Sequence, residues 1–400
     1  MKKYIVKVFK NLNKSLFFWT MLYAIGGAFL ILDASLISAT LTYGYDNPYH
    51  FFIAQLAFIV VSLIGAYIII KFIPTKIYGI ASIFIGGILI VALIGTFGGN
   101  WIGNGVRAVT LQIGGFTLQP AEFLKIALIM FMGSFYYYRS KNPKLKSWWW
   151  LALIPSVTVF AIVMFGGDFG TAAIIAALSA LIFVAVPTSK EEVWFNRIKK
   201  FAIIGLVGSV LALKFGYLVI PEEKLKSDYR LNRFIYKNPC DRYEENSGYQ
   251  VCNGFIAIDN GGLKGVGIGN SVQKYLYLPA SHTDFIFPIV VEELGSIVGV
   301  LIIVGFMYII ALIFRVASSS YNLQNSIICY GIGINLMLHI FVNLGGVLGI
   351  IPLTGVPLPF LSYGGSFCIT TICSLALVQR IHIENKEEKK KREINKIINR

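Results

Sequence analysis

Asp284 is the residue around which chemistry is first to be sought. It stands in Pro279-Ala280-Ser281-His282-Thr283-Asp284-Phe285-Ile286-Phe287, where a long polar segment enters an apolar run. A carboxylate at a membrane boundary is costly unless it has partners or a task. Glu292 and Glu293 follow at helical spacing. Burial raises a carboxylate's pKa, whereas neighbouring cations such as Lys274 or a bound divalent ion lower it, and that balance makes a usable general base. The competing reading is an acid neutralised by His282 or capping a helix.

Other segments could serve the same site. In Gln119-Pro120-Ala121-Glu122-Phe123-Leu124-Lys125, Pro120 suits a helix start, and Glu122 and Lys125 share one face a turn apart. They read either as an internal ion pair capping the helix or with Lys125, alongside Arg107, facing an anionic substrate group from a cavity wall. Arg107 is the cation of an otherwise uncharged short loop. In Phe165-Gly166-Gly167-Asp168-Phe169-Gly170-Thr171, the glycines permit a tight reversal and Asp168 can cap the helix that follows. The glycine-rich run from Asn260 to Lys274 has neither a preceding strand nor a Gly-Lys-Ser/Thr ending, so it is no nucleotide loop. Its glycines are expected to let backbone pack closely, while Lys274 and Tyr275 approach a substrate. Ile351 to Ser366 contains Pro352, Pro357 and Pro359, so it cannot be continuous helix and is expected to cap a cavity.

These residues must be positioned by helices. The chain is 56% hydrophobic and 14% charged, and apolar runs of about bilayer-spanning length recur throughout. The expected architecture is an all-α polytopic membrane bundle of ten helices. They fall at 16–40, 50–71, 77–96, 121–139, 148–165, 170–186, 201–220, 285–314, 323–345 and 364–380, the eighth being long enough to bend. The whole chain, 1–400, reads as a single transmembrane domain. Residues 1–15 form a cytoplasmic N-terminus, 221–284 a long extracytoplasmic loop between helices 7 and 8, and 381–400 a cytoplasmic tail.

Charge supports that topology. With both termini inside, most of the 35 Lys and Arg fall on cytoplasmic segments, while the short outer loops carry only Arg107. The net charge of +15 is therefore trim facing anionic lipid, and nucleic acid is not an expected partner. Of the five cysteines, Cys329, Cys368 and Cys373 lie in apolar helices as packing residues. Cys240 and Cys252 lie outside, where they are either joined as a disulfide or free. No Cys/His spacing of a zinc site is present.

Taken together, several motifs resemble the SEDS family of bacterial peptidoglycan polymerases, the FtsW, RodA and SpoVE group, over nearly the whole chain. They are Asn104-Gly105-Val106-Arg107, Gln119-Pro120-Ala121-Glu122-Phe123, Asp168-Phe169-Gly170-Thr171, Arg233 with Gly248-Tyr249-Gln250, Tyr277-Leu278-Pro279, His282-Thr283-Asp284-Phe285-Ile286-Phe287, Glu292-Glu293-Leu294-Gly295 and Pro357 through Ser366, including Ser362. Gly248-Tyr249-Gln250, Ser271-Val272-Gln273-Lys274 and Tyr277-Leu278-Pro279 look more like the division-type than the elongation-type pattern. The chain departs from the family where Val106, Ala108 and Val109 stand in place of a run with a second arginine and a tryptophan. It also departs at Gly166-Gly167 and Ala280-Ser281.

The resemblance implies a glycosyltransferase of the bacterial cytoplasmic membrane that polymerises lipid II at the outer face, with Asp284 as its catalytic carboxylate, the general base. It casts Arg107, Lys125, Glu122, Asp168, Arg233, Gln250, Lys274, His282 and Ser362 as substrate contacts. It also implies a divalent cofactor, magnesium or manganese, and as partners a class B penicillin-binding protein transpeptidase and other division proteins. Polar groups at cavity depth also mark transport paths, so a flippase for lipid-linked precursors is the rival reading. The absence of a visible internal repeat counts against it, and a recruiting scaffold would not require the acid.

Overall fold

The computed structural model describes residues 11–100, 110–113, 116–189, 192–215, 238–243, 246–275, 277–279 and 281–398. Among them are eleven α-helices: α1 (Lys14–Leu41), α2 (His50–Phe72), α3 (Tyr78–Asn100), α4 (Pro120–Lys141), α5 (Ile154–Phe165), α6 (Phe169–Ala185), α7 (Val193–Phe215), α8 (Asn246–Gly261), α9 (Ile286–Ser318), α10 (Leu323–Val347) and α11 (Gly365–Ile398). Within the described residues a helix overlaps each of the ten expected positions, the seventh as far as residue 215. Among the described residues six helices are long and apolar enough to cross a membrane, namely α1, α2, α3, α9, α10 and α11, while the apolar stretches Trp149–Phe165 and Phe169–Ala185 are shorter.

Burial sorts the helices into layers. The apolar windows of α10 and α11 are 72% and 78% buried inside the protein, those of α2 and α3 only 22%. A helix apolar on every side must face either core or lipid. α10 and α11 are therefore central, and the exposed Ile80, Ile83, Phe84, Ile88 and Val91 of α3 face the hydrocarbon. α11 packs along α2, α4 runs between α3 and α10, and α9 lies against α10 and α1.

Two elements depart from the sequence reading. The segment 221–284, expected as loop, contains α8, which packs on α9. Its Asn and Gly content hides the helix from propensity, and contact supplies what propensity lacks: Gly254 sits against Phe285 and Pro288, and Phe255 against Gly349. Cys240 and Cys252 are joined, tying the 3₁₀ turn Pro239–Arg242 to α8. The segment before α4 contains an antiparallel hairpin, β1 (Leu111–Ile113) with β2 (Phe116–Leu118), registered Leu111 to Leu118. Three-residue strands are too short to show a period.

The expected bend in the long helix is real. Gly295, at φ 86° and ψ 162°, interrupts α9. The glycine-rich segment after α8 fits into this break: Val266 and Gly267 donate backbone N–H groups to the carbonyls of Glu292 and Glu293 at 2.9 and 3.0 Å. A Cβ on Gly295 would overlap the Leu263 carbonyl, and one on Gly265 the Glu293 carbonyl. Only glycine fits both the dihedral and the approach.

Candidate functional site

The N-terminal ends of α4, α6, α9 and α11, the C-terminal half of α10 and the Pro-rich segment 351–363 meet at one end of the bundle. Asp284 lies there, just before α9. Its backbone carbonyl accepts a hydrogen bond from Asn343 Nδ2 of α10 at 2.9 Å, and the same nitrogen donates to the Val356 carbonyl at 2.8 Å. Thr283 Oγ1 donates to Asp284 Oδ1 at 2.9 Å. Gly355, at φ 71°, brings bare backbone up to the carboxylate, its Cβ position being 3.8 Å from Oδ2. One amide of α10 thus fixes the acid's loop to the Pro-rich segment, whose glycine leaves room beside the acid.

His282 is 2% exposed, and burial pushes its pKa down to about 4. It is a neutral imidazole near pH 7, packed 4.3 Å from Phe51 between ring centroids, so no His282 cation offsets Asp284. The Tyr363 N–H donates to the His282 carbonyl at 2.9 Å, a second tether from the Pro-rich segment. Ser362 is occupied in that segment's own turn, accepting from Leu358 N–H at 2.8 Å.

Lys125 is buried, with Nζ 2.8 Å from Glu122 Oε1 and 2.7 Å from His339 Nε2 of α10. The internal pair expected of Glu122 and Lys125 is therefore formed, with a histidine added. Asp168 caps α6 through Thr171 N–H at 3.0 Å and accepts from Gln119 Nε2 at 2.9 Å. Gln119 N–H in turn donates to Ser366 Oγ of α11 at 2.9 Å. The glycine beside the cap, Gly170, lies against Thr354 and Val356, closing the ring back to the Pro-rich segment.

Lys274 is buried in a triad, 2.8 Å from the half-buried Asp33 of α1 and 2.6 Å from the buried Glu293 of α9. Its pKa is raised: burial opposes the charge, and hydrogen bonds to the two carboxylates outweigh it. The ammonium is thus committed to joining α1 to α9. Glu292, fully buried, accepts from the Ser271 hydroxyl, from Val272 N–H at 3.2 Å and Gln273 N–H at 3.3 Å, and from Asn260 Nδ2 at 3.2 Å. Both glutamates therefore organise the glycine-rich segment. Gln250 lies half-buried on α8. Arg107 and Arg233 lie outside the described residues. Among the described residues no group of three or more His, Cys, Asp or Glu is placed to hold a metal ion.

Asn343, His339 and Asp33 did not stand out in the sequence reading. The available signal was a polar residue inside an apolar helical run, which in a membrane protein marks a partner or a pathway.

A multi-pass helical membrane protein with a carboxylate and a ring of tethered polar groups at one end of its bundle is the class defined by this geometry. The family model for FtsW, RodA and SpoVE, described as cell cycle protein, matches residues 13–387. The probable peptidoglycan glycosyltransferase FtsW of Bacillus subtilis (strain 168) is 32% identical over 97% of this chain and 95% of its own length. Stage V sporulation protein E of the same organism is 33% identical over 87% of this chain and 90% of its own. Among solved structures, one titled as the structural coordination of polymerization and crosslinking by a peptidoglycan synthase complex aligns with a TM-score of 0.67 at 20% identity. It covers 94% of this chain and 98% of that one. The rod shape determining protein RodA of Thermus thermophilus aligns at 0.62 and 19% identity, over 94% and 97%. The chain belongs to the FtsW/RodA/SpoVE family.

Proposed function

We infer that this protein is a peptidoglycan glycosyltransferase that polymerises lipid II at the outer face of the bacterial cytoplasmic membrane, with all ten helices of the expected topology crossing and both termini cytoplasmic. The observation that carries the reading is Asp284. This carboxylate is tethered through its own backbone to α10 and the Pro-rich segment and bordered by a glycine, in a chain whose curated relatives are named peptidoglycan glycosyltransferases. Those relatives are FtsW proteins, which favours a role in septal synthesis over elongation.

The reaction needs one base. Asp284 takes the proton of the acceptor sugar's 4-hydroxyl as that oxygen forms its bond to the donor's anomeric carbon. The bond from that carbon to the pyrophosphate breaks, and the pyrophosphate leaves with the electron pair. Displacement from the opposite face inverts the anomeric centre. The leaving group is a stabilised anion and calls for cations rather than an acid, a role we give to Arg107. Lys125 would join it only on release from Glu122 and His339. A divalent ion, magnesium or manganese, would arrive on the substrate's phosphates, as such ions commonly do. The described residues offer it no ligand set of their own, so no step is routed through it.

A class B penicillin-binding protein and other division proteins are the proposed partners. Purified protein in liposomes given lipid II separates the enzyme from a flippase. Polymer without added transferase supports the reading, while translocation without polymer supports the transporter. Replacing Arg107 with Ala is expected to raise the lipid II concentration needed for half-maximal rate, and an unchanged value would make it a loop contact only.

A further inference from the structure

We propose that Tyr43 and Tyr45 form a stacking platform for the N-acetylated sugars of the glycan, a saccharide subsite beside Asp284 built by the loop between α1 and α2. The inference rests on the proposed glycosyl transfer and names where its saccharide lies.

The loop is held in place. The N–H groups of Tyr43 and Tyr45 donate to the Ser38 and Ala39 carbonyls at 3.1 and 3.0 Å. Gly44 between them adopts φ 67°, the left-handed turn that brings the two rings side by side, centroids 6.4 Å apart and planes 15° from parallel. Beneath them is a packed aromatic floor. Tyr45 stacks on His50 at 3.7 Å, and both tyrosines meet Phe51 edge-on, at 5.2 and 5.6 Å. Phe51 in turn packs on His282 and Tyr363 at 4.3 and 4.9 Å. Tyr43 itself meets His282 at 5.6 Å, two residues before Asp284. The Tyr43 hydroxyl has a raised pKa, from partial burial, Tyr45 and the Asp284 charge, which places ring and carboxylate within electrostatic reach of each other.

Yet Tyr43 is 49% exposed and Tyr45 39%. Rigid, half-open rings with hydroxyl tips suit a pyranose. Its axial C–H groups lie on the electron-rich ring face, and its hydroxyl and acetamido groups hydrogen-bond the phenol. An aromatic belt at the lipid boundary also uses tyrosine. Belt residues, however, need no contact with the acid's own loop, and Tyr43 makes one.

The test uses full-length protein carrying Asp284→Asn, so that nothing is consumed, titrated calorimetrically with a lipid-free tetrasaccharide of alternating N-acetylglucosamine and N-acetylmuramic acid. Adding Tyr43→Ala or Tyr45→Ala is expected to weaken binding by roughly tenfold each, and the Phe versions to keep it within about threefold, since the ring face carries the contact. Affinity unchanged in the Ala variants, or no saccharide binding to the starting protein, overturns the platform. Ala variants that alter only thermal stability or liposome insertion assign the rings to the lipid belt and overturn it too. Failure of the glycosyltransferase reading would be seen separately, as lipid II translocated but not polymerised by the wild-type protein in liposomes.

Discussion

Asp284 is held through its backbone carbonyl by Asn343, and its carboxylate accepts from the Thr283 hydroxyl at 2.9 Å. Asn343 makes both tethers with one nitrogen, to the Asp284 and Val356 carbonyls, so Asn343→Leu removes this donor from both at once, the Val356 bond being buried. If Asn343 positions the base, kcat should fall by more than about tenfold, the cost of small misplacement at a reacting centre, with KM changed little. A rise in KM at constant kcat would count against positioning. His282 makes a second prediction. Its folded pKa is depressed to about 4 from 6.5, so the folded state binds the proton less readily than the unfolded chain. Stability from the neutral ring is fully present above the unfolded value and lost as pH falls through the window between the two. The loss between pH 7.5 and 5 is about 2 kcal/mol from this group. Thermal unfolding in detergent across that range checks it: His282→Phe should flatten the acid limb, and an unaltered limb would refute the assignment. Residue identity made Asp284 legible in sequence, because an acid at the start of an apolar run is rare. Asn343 escaped notice because one amide in an apolar helix has no spacing to mark it, and its partners are set by the fold of two distant segments. Tyr43 and Tyr45 were not singled out in the sequence, because their contacts with Phe51 and His282 come from the turn at Gly44 and from a distant segment.

At the scale of elements, the break in α9 organises the glycine-rich segment against α1 and α9. Gly295 admits the glycine-rich segment, Glu292 orders the turn at 271–273, and Lys274 links that turn to α1 and α9. Lys274→Met would leave Glu293 buried and Asp33 half-buried without their cation, at a cost of about 3 kcal/mol, the low end of the usual penalty for breaking a buried pair from one side. The triple change Asp33→Asn, Lys274→Met and Glu293→Gln should recover most of that in Tm; recovery absent, the triad is not the source of the loss. Helix positions were legible because a membrane span must be a long apolar run with its backbone bonds satisfied internally. α8 and the β1–β2 hairpin were not, since their stability comes from what they pack on. Arg107 and Arg233 carry sequence expectations that lie outside the described residues.

Across the whole molecule, the two ends are chemically different. The site end gathers Asp284, the Glu122–Lys125–His339 contact and the Asp168 cap. At the other end Arg139 donates to the Lys146 carbonyl at 2.6 Å and pairs with Glu192, while Arg380 pairs with Glu384 at 2.9 Å and donates to the Ile70 carbonyl at 2.9 Å. Basic side chains at one end set orientation relative to anionic lipid. A cysteine introduced as Lys390→Cys should be labelled by an impermeant maleimide only after cells are opened, and one introduced as Lys264→Cys in intact cells; the reverse pattern would invert the topology.

The most direct test of the central claim compares wild type with Asp284→Asn, each purified and reconstituted with lipid II. The account predicts glycan polymer from the wild type and none from the variant, with lipid II still bound and the melting temperature retained. Polymer of normal length and rate from Asp284→Asn would contradict it.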